Sequence, residues 1–302
     1  MSKNKFKRGA RLSSDKMVFY LVGYPLIALF ALFCLLPFWL VVSGSFTSQQ
    51  EIISRGFSLW PRDFSLDGYA LSLANPMAIL RAYGVNIVVT VTGTLSSVFI
   101  CTMTGYVLTR KDFPWRSGIS FFFFFTTLFS GGLVPSYLLV VNTLGLKDNI
   151  LSLILPAIVS VWNILLVKGF MGSVPFEITE SAKIDGAGDF RIFCQLILPI
   201  STPVVATIGL FTAIGFWNDW FRATLYIDSP NLRPLQYFLH QLIVSTQAMR
   251  AIMDEAGIVM PTLPLESMRM SMTVIVTGPI ILLYPFLQKY FVKGLTVGSV
   301  KG

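Results

Sequence analysis

Apolar residues along this chain run in long unbroken stretches rather than alternating with polar ones, and that pattern sets the fold class. A helix needs about 20 apolar residues to cross roughly 30 Å of hydrocarbon. Six stretches approach or exceed that length, at about 18–43, 83–108, 119–142, 150–167, 199–219 and 270–288. Hydrocarbon offers no partner to an unpaired backbone N–H or C=O, so each stretch is read as a helix. The expected fold is an all-α membrane protein with six transmembrane helices. The first stretch, Met17 to Ser43, is too long for the core of a cleaved leader and is read as a retained span.

Composition supports the same class. Of 302 residues, 54% are hydrophobic and 13% charged, against about a quarter charged in soluble domains, and the mean hydropathy is +0.70. Lys and Arg concentrate on the cytoplasmic side of membrane proteins. With the N-terminus inside, 15 of the 23 basic residues fall in inner segments: the N-terminal group, Arg110–Arg116, Lys168–Arg191 and Lys289–Lys301. Both termini are therefore placed in the cytoplasm. The formal charge of +8 follows this topology and is no sign of nucleic-acid binding. The expected organisation is a basic segment at 1–17, a six-span domain at 18–293 with an inner loop at about 171–198, and a cytoplasmic tail at 294–302. Outer loops are expected near 44–82 and 220–269; the second holds the lone His240 and a stretch suited to a short surface helix.

Cys34, Cys101 and Cys194 lie in or beside apolar runs without metal-ligand spacing and read as small hydrophobes, so no metal site is expected. Apart from Asp219 at the outer end of the fifth, the six stretches contain no Asp, Glu, Lys or Arg, which weighs against a proton relay or a charge-ring channel. A sodium site built from carbonyls and hydroxyls would escape that test. No G-x-x-x-x-G-K-[ST] loop is present, so ATP hydrolysis in the usual manner is not expected of this chain and no catalytic residue is assigned.

The inner loop carries the most specific pattern, "SVPFEITESAKIDGAGDFRIFCQLILP" from Ser173 to Pro199. Pro175 suits a first helical turn, and Glu177 and Glu180 place carboxylates at the positive end of a helix dipole. Gly186 and Gly188 stop that helix, Asp189 is positioned to cap a second, and the small pair Ser181–Ala182 leaves room for another protein to approach. Glu180-Ser181-Ala182, then Gly186, then Leu196-Ile197-Leu198-Pro199 resembles the E-A-A-x-x-x-G-x(9)-I-x-L-P signature of permease subunits of binding-protein-dependent ABC importers. Ser181 and Leu196 depart from it, with the spacing intact. The ending "GLTVGSVKG" is similar to the tail of the maltose-type MalG permease, and "FSGGLVPSYLLV" and "YPFLQKYFVKG" resemble the LplC/YtcP group of complex-carbohydrate permeases.

The resemblance implies the type I importer permease fold in a bacterial cell membrane. It implies a second, homologous permease, two cytoplasmic ATPase subunits that hold the ATP and Mg, an extracytoplasmic solute-binding protein and a carbohydrate substrate. No cofactor belongs to this chain itself, and apart from these partners it contacts membrane lipid and no nucleic acid. Glu180, Ser181, Ala182, Ile184, Asp185, Gly186, Leu198 and Pro199 would form or shape the ATPase contact. Gly294, Leu295, Gly298 and Lys301 would reach along the ATPase interface, as the tail does in maltose-type relatives. Tyr137, Trp162, Asn163, Trp217, Asn218 and Trp220 are candidates for the sugar path, though an interfacial aromatic belt accounts equally for the Trp and Tyr residues. The Gly131-Gly132 and Pro135 break marks irregular backbone that either lines a cavity or packs closely. Two other readings stay open: a permease of the same superfamily for a non-sugar solute, and an ion-coupled secondary transporter.

Overall fold

The structure is a computed structural model that describes residues 19–257 and 264–281. The basic segment at 1–17, the tail at 294–302 and the end of the sixth apolar stretch lie outside the described residues. Among those described the chain is helical, with one isolated bridge between Thr47 and Phe64 and no strand. In chain order the helices are α1 (Phe19–Ser45), α2 (Gln49–Arg55), α3 (Asp67–Ser72), α4 (Pro76–Thr109), α5 (Arg116–Leu128), α6 (Leu133–Thr143) and α7 (Leu151–Ala157). There follow α8 (Val161–Met171), α9 (Glu177–Ile184), α10 (Asp189–Ile200), α11 (Thr202–Trp217), α12 (Phe221–Tyr226), α13 (Leu235–Glu255) and α14, residues 265–281.

Among the described residues only α1 and α4 are single helices long and apolar enough to cross a membrane, and up to five spans result if each bent pair counts as one. The third expected stretch is not straight: α5 and α6 meet at 116°, with Gly132 at φ +85° in the break. Pro135 falls inside α6, early enough that its missing N–H costs no helical bond. The fourth stretch bends by 47° between α7 and α8, and the fifth bends by 84° between α10 and α11. The second is longer than expected, starting at Pro76 behind an Asn75 side chain that accepts a hydrogen bond from the Ala78 N–H. The expected surface helix is also longer, as α13 has 21 residues.

The chain forms two compact units. One holds α1 to α3 with residues 264–274. Most of α1 is exposed, from Phe19 to Val42, as suits a helix whose solvent is lipid. Beyond it the chain is tied by polar bonds: Ser43 Oγ donates to Ser58 O, Ser45 Oγ pairs with Tyr69 Oη at 2.9 Å, and the Glu51 carboxylate accepts the Arg62 and Asp63 N–H groups. Gln49 Oε1 caps the start of α14, accepting from Glu266 N at 2.9 Å, and Ser72 pairs with Ser271 at 2.7 Å.

The second unit is built on α4. Its positions Gly93, Ser97, Cys101 and Gly105 are buried and repeat every four residues, giving a stripe of small side chains. Such a stripe lets helices approach closely where lipid supplies no hydrophobic drive. A Cβ on Gly105 would lie 2.6 Å from Val167 of α8, and one on Gly93 would lie 2.6 Å from Phe216 of α11. Hydroxyls that hydrocarbon cannot satisfy bond back to their own helices, as Thr102 does to Val98 O and Thr207 to Pro203 O. One core cluster joins Cys101, Tyr106 and Leu108 of α4 to Ile164 and Val167 of α8, Ala182 of α9, Ile192, Phe193 and Ile197 of α10, and Val204 and Ile208 of α11. Replacing Gly105 by Val overpacks the α4–α8 crossing at a cost of about 1–3 kcal/mol. Thermal unfolding in detergent is expected several degrees below wild type, with partial recovery when Val167→Ala is added.

Candidate functional site

The loop expected on the inner side folds as α9, a glycine turn and α10. Glu177 and Glu180 occupy the first turn of α9, as their sequence positions suggest. At its end the Gly186 N–H donates to Lys183 O at 3.0 Å and the Ala187 N–H to Ala182 O at 2.9 Å, with Gly186 at φ +76°. That pair of bonds closes the last turn, and the left-handed residue between them suits glycine. Ala182 and Ala187 turn into the core cluster, while Glu180, Ser181, Ile184 and Asp185 are exposed. Ile184 is 87% exposed and Phe190 63%. Two large apolar side chains therefore stand out from a segment whose other face is pinned. Leu198 is half-buried and Pro199 exposed. Pro175 lies just ahead of α9, whose N-cap is Phe176.

Asp189 does not cap α10 as the sequence pattern suggests. Gly188 is the N-cap, with no side-chain capping bond, and the Asp189 carboxylate is used elsewhere. Arg110, which ends α4, is nearly buried and donates to it from Nη1 at 2.8 Å. The same Nη1 donates to Tyr106 Oη at 3.0 Å, and Nε donates to Asp112 Oδ1 at 2.8 Å with Nη2 completing a bidentate pair. Lys183 of α9 donates to Asp112 Oδ2 at 2.9 Å. Tyr106 in turn stacks on Phe193 of α10 at 5.5 Å. One arginine thus fastens α4 to α10 directly and to α9 through Asp112.

The Arg110 guanidinium, and then Lys183, hold the Asp112 carboxyl well below the usual carboxylate range. The Asp112 hydrogen bond, against the opposing effect of burial, raises the Arg110 pKa further. Sequence reasoning took Arg110 as a topology marker. The available signal was Tyr106, Arg110 and Asp112 together, an aromatic hydroxyl one turn before an arginine and a carboxylate two residues after it.

The candidates for the sugar path are not gathered in one place. Asn163 is buried and its Nδ2 donates to Thr212 Oγ1 at 3.1 Å, whereas Trp162 beside it is 71% exposed. Trp217 is buried with its Nε1–H unpartnered among the described residues. Asn218 accepts from Gln236 at 3.2 Å, Trp220 stacks on His240 at 4.1 Å, and Tyr137 stacks on Tyr226 at 6.0 Å. A cavity of about 220 Å³ is lined by Asn163, Ser97, Ser160, Thr212 and Arg222 among others, and none of the other candidates reaches it. The cysteines are free, and among the described residues no group of His, Cys, Asp and Glu is placed to hold a metal ion.

The profile of the binding-protein-dependent transport system inner membrane component family matches residues 19–297. The chain belongs to this family. As a permease of a bacterial inner membrane, it is 40% identical over 285 residues to the polygalacturonan/rhamnogalacturonan transport system permease protein YtcP of Bacillus subtilis, covering 94% of this chain and 99% of that one. It is also 40% identical over 268 residues to protein LplC of the same organism, covering 89% and 90%. Its fold is similar to a chain in the crystal structure of a bacterial ABC transporter involved in import of the acidic polysaccharide alginate. That match has a TM-score of 0.79 and 27% identity, and covers 93% of this permease and 99% of the other chain.

Replacing Arg110 by Gln leaves Asp112 and Asp189 without their main donor and should cost about 1.5–3 kcal/mol, the range for hydrogen bonds to charged groups. A depressed carboxyl stabilises the fold above its unfolded pKa, near 4, and loses that effect as pH falls through the folded value. The gap in melting temperature between wild type and Arg110→Gln in detergent is expected to stay constant from pH 8 to about 5 and to shrink below about 4.

Proposed function

We propose that the chain is the membrane-spanning permease subunit of an ATP-driven importer for oligosaccharides or polysaccharide fragments. The observation that carries this reading is the α9–α10 segment, exposed on its Glu180–Asp185 face and anchored on the other, within a chain of the permease family. Relatives whose names specify transport of polygalacturonan/rhamnogalacturonan, arabinooligosaccharides and maltodextrin support the sugar assignment. Six spans with both termini in the cytoplasm fit the distribution of Lys and Arg. A second homologous permease, two ATPase subunits and an extracytoplasmic solute-binding protein complete the machine; hydrolysis takes place in the ATPase subunits and no chemistry in this chain.

Ile184, Asp185 and Ser181 then form the surface that an ATPase covers, Glu180 sets the charge at the start of α9, and Gly186 holds the turn. Movement of the ATPase reaches α4 through Lys183, Asp112, Asp189 and Arg110. Gly294, Leu295, Gly298 and Lys301 extend the same contact. Glu180 is exposed, so its replacement by Lys leaves packing untouched while reversing a charge at the helix start. The Glu180→Lys variant is expected to insert at wild-type level and to lose at least tenfold in oligosaccharide uptake. Uptake at the wild-type rate contradicts the coupling assignment.

A further inference from the structure

We propose that the 220 Å³ cavity bordered by Arg222 receives the carboxylate of an acidic sugar residue, so that the cargo is a uronate-containing oligosaccharide. This rests on the importer reading and narrows its substrate class. The cavity is walled by hydroxyls and an amide from three helices: Ser97 of α4, Ser160 and Asn163 at the start of α8, and Thr212 of α11. These groups are suited to hydroxyl-rich ligands, and Asn163 Oδ1 has no protein donor among the described residues. At about 30 Å³ per water the space has room for roughly seven waters or one pyranose ring.

Arg222 supplies the charge. Its Nε edge is taken by Asp219, whose other oxygen accepts the Arg222 backbone N–H at 3.2 Å. Its guanidinium lies 5.4 Å from the Phe216 ring centre, and Phe216 also borders the cavity. Arg222 borders the cavity, its Nε edge is fixed by Asp219, and among the described residues neither of its terminal amino groups donates a hydrogen bond. A planar fork held along one edge matches a carboxylate in bidentate fashion. The pairing with Asp219 does not leave an incoming anion facing net negative charge. Segment 219–233 and the residues bonded to it carry Arg81, Lys147, Arg222 and Arg233 against Asp148, Asp219 and Asp228.

The test uses the complete importer reconstituted in proteoliposomes, with trigalacturonate and its fully methyl-esterified form as probes of equal length and opposite charge status. Wild type is expected to import the acid at least tenfold faster than the ester. Arg222→Gln should bring that ratio close to one, and Arg222→Lys, which keeps the charge without the fork, should leave an intermediate ratio. Retention of the ATPase subunits through purification reports that each variant is assembled. An unchanged ratio in an assembled Arg222→Gln complex overturns the proposal, as does a wild type that prefers the ester or carries neither probe while its ATPase is bound. If no ATPase accompanies the wild-type chain, the importer reading itself fails and the cargo assignment falls with it.

Discussion

The Arg110 guanidinium is the joint on which the α9–α10 end of the second unit depends. It sits where the 34-residue helix α4 stops, and it closes on Asp112, Asp189 and Tyr106 at once. A charge so nearly buried is tolerated only when its donors are matched, and each of these partners comes from a segment that has to be in place. The α9–α10 segment is held by that joint and by the apolar contacts of Ala182, Ile192, Phe193 and Ile197. Its remaining face carries Ile184 and Phe190 exposed. A segment built this way cannot shift without disturbing either the ion pairs or the core beneath them.

The same economy runs through α4. Its small side chains at Gly93, Ser97, Cys101 and Gly105 allow α8 and α11 to pack against its backbone, which in lipid replaces the missing hydrophobic drive by close contact. The polar cavity lies along that stripe at Ser97. One helix thus ties the loop's anchor at Arg110 to the wall of the cavity at Ser97, between about three and four turns away.

The class of the fold was legible because hydrocarbon imposes a long apolar run on every span, and α1 and α4 follow that rule directly. The straightness of the other spans was not legible. A hydropathy pattern counts apolar residues and carries no direction, so the 116° turn between α5 and α6 left only the Gly131-Gly132 and Pro135 signal, and the bends at α7–α8 and α10–α11 left less. The loop was readable because its glycine stop depends on local backbone geometry, which Gly186 confirms with its positive φ. Its anchor was hidden, since the contact from Arg110 to Asp189 spans 79 residues and no local pattern specifies it. The misassigned cap at Asp189 has the same origin: a distant arginine outcompeted the N–H groups nearby. The aromatic candidates for the path scattered because Trp and Tyr serve stacking pairs and exposed faces as readily as a ligand.

The most direct measurement is a pull-down of the N-terminally tagged chain from gently solubilised native membranes, with bound chains identified by mass spectrometry and Gly186→Pro as the paired control. Proline fixes φ near −65° and removes the N–H that bonds Lys183 O, so it destroys the turn at φ +76°. The account predicts that an ATPase and a second permease accompany the wild type and that the ATPase is lost from the variant while the second permease remains. Recovery of the chain alone, or of the ATPase in equal amount with both forms, would contradict it.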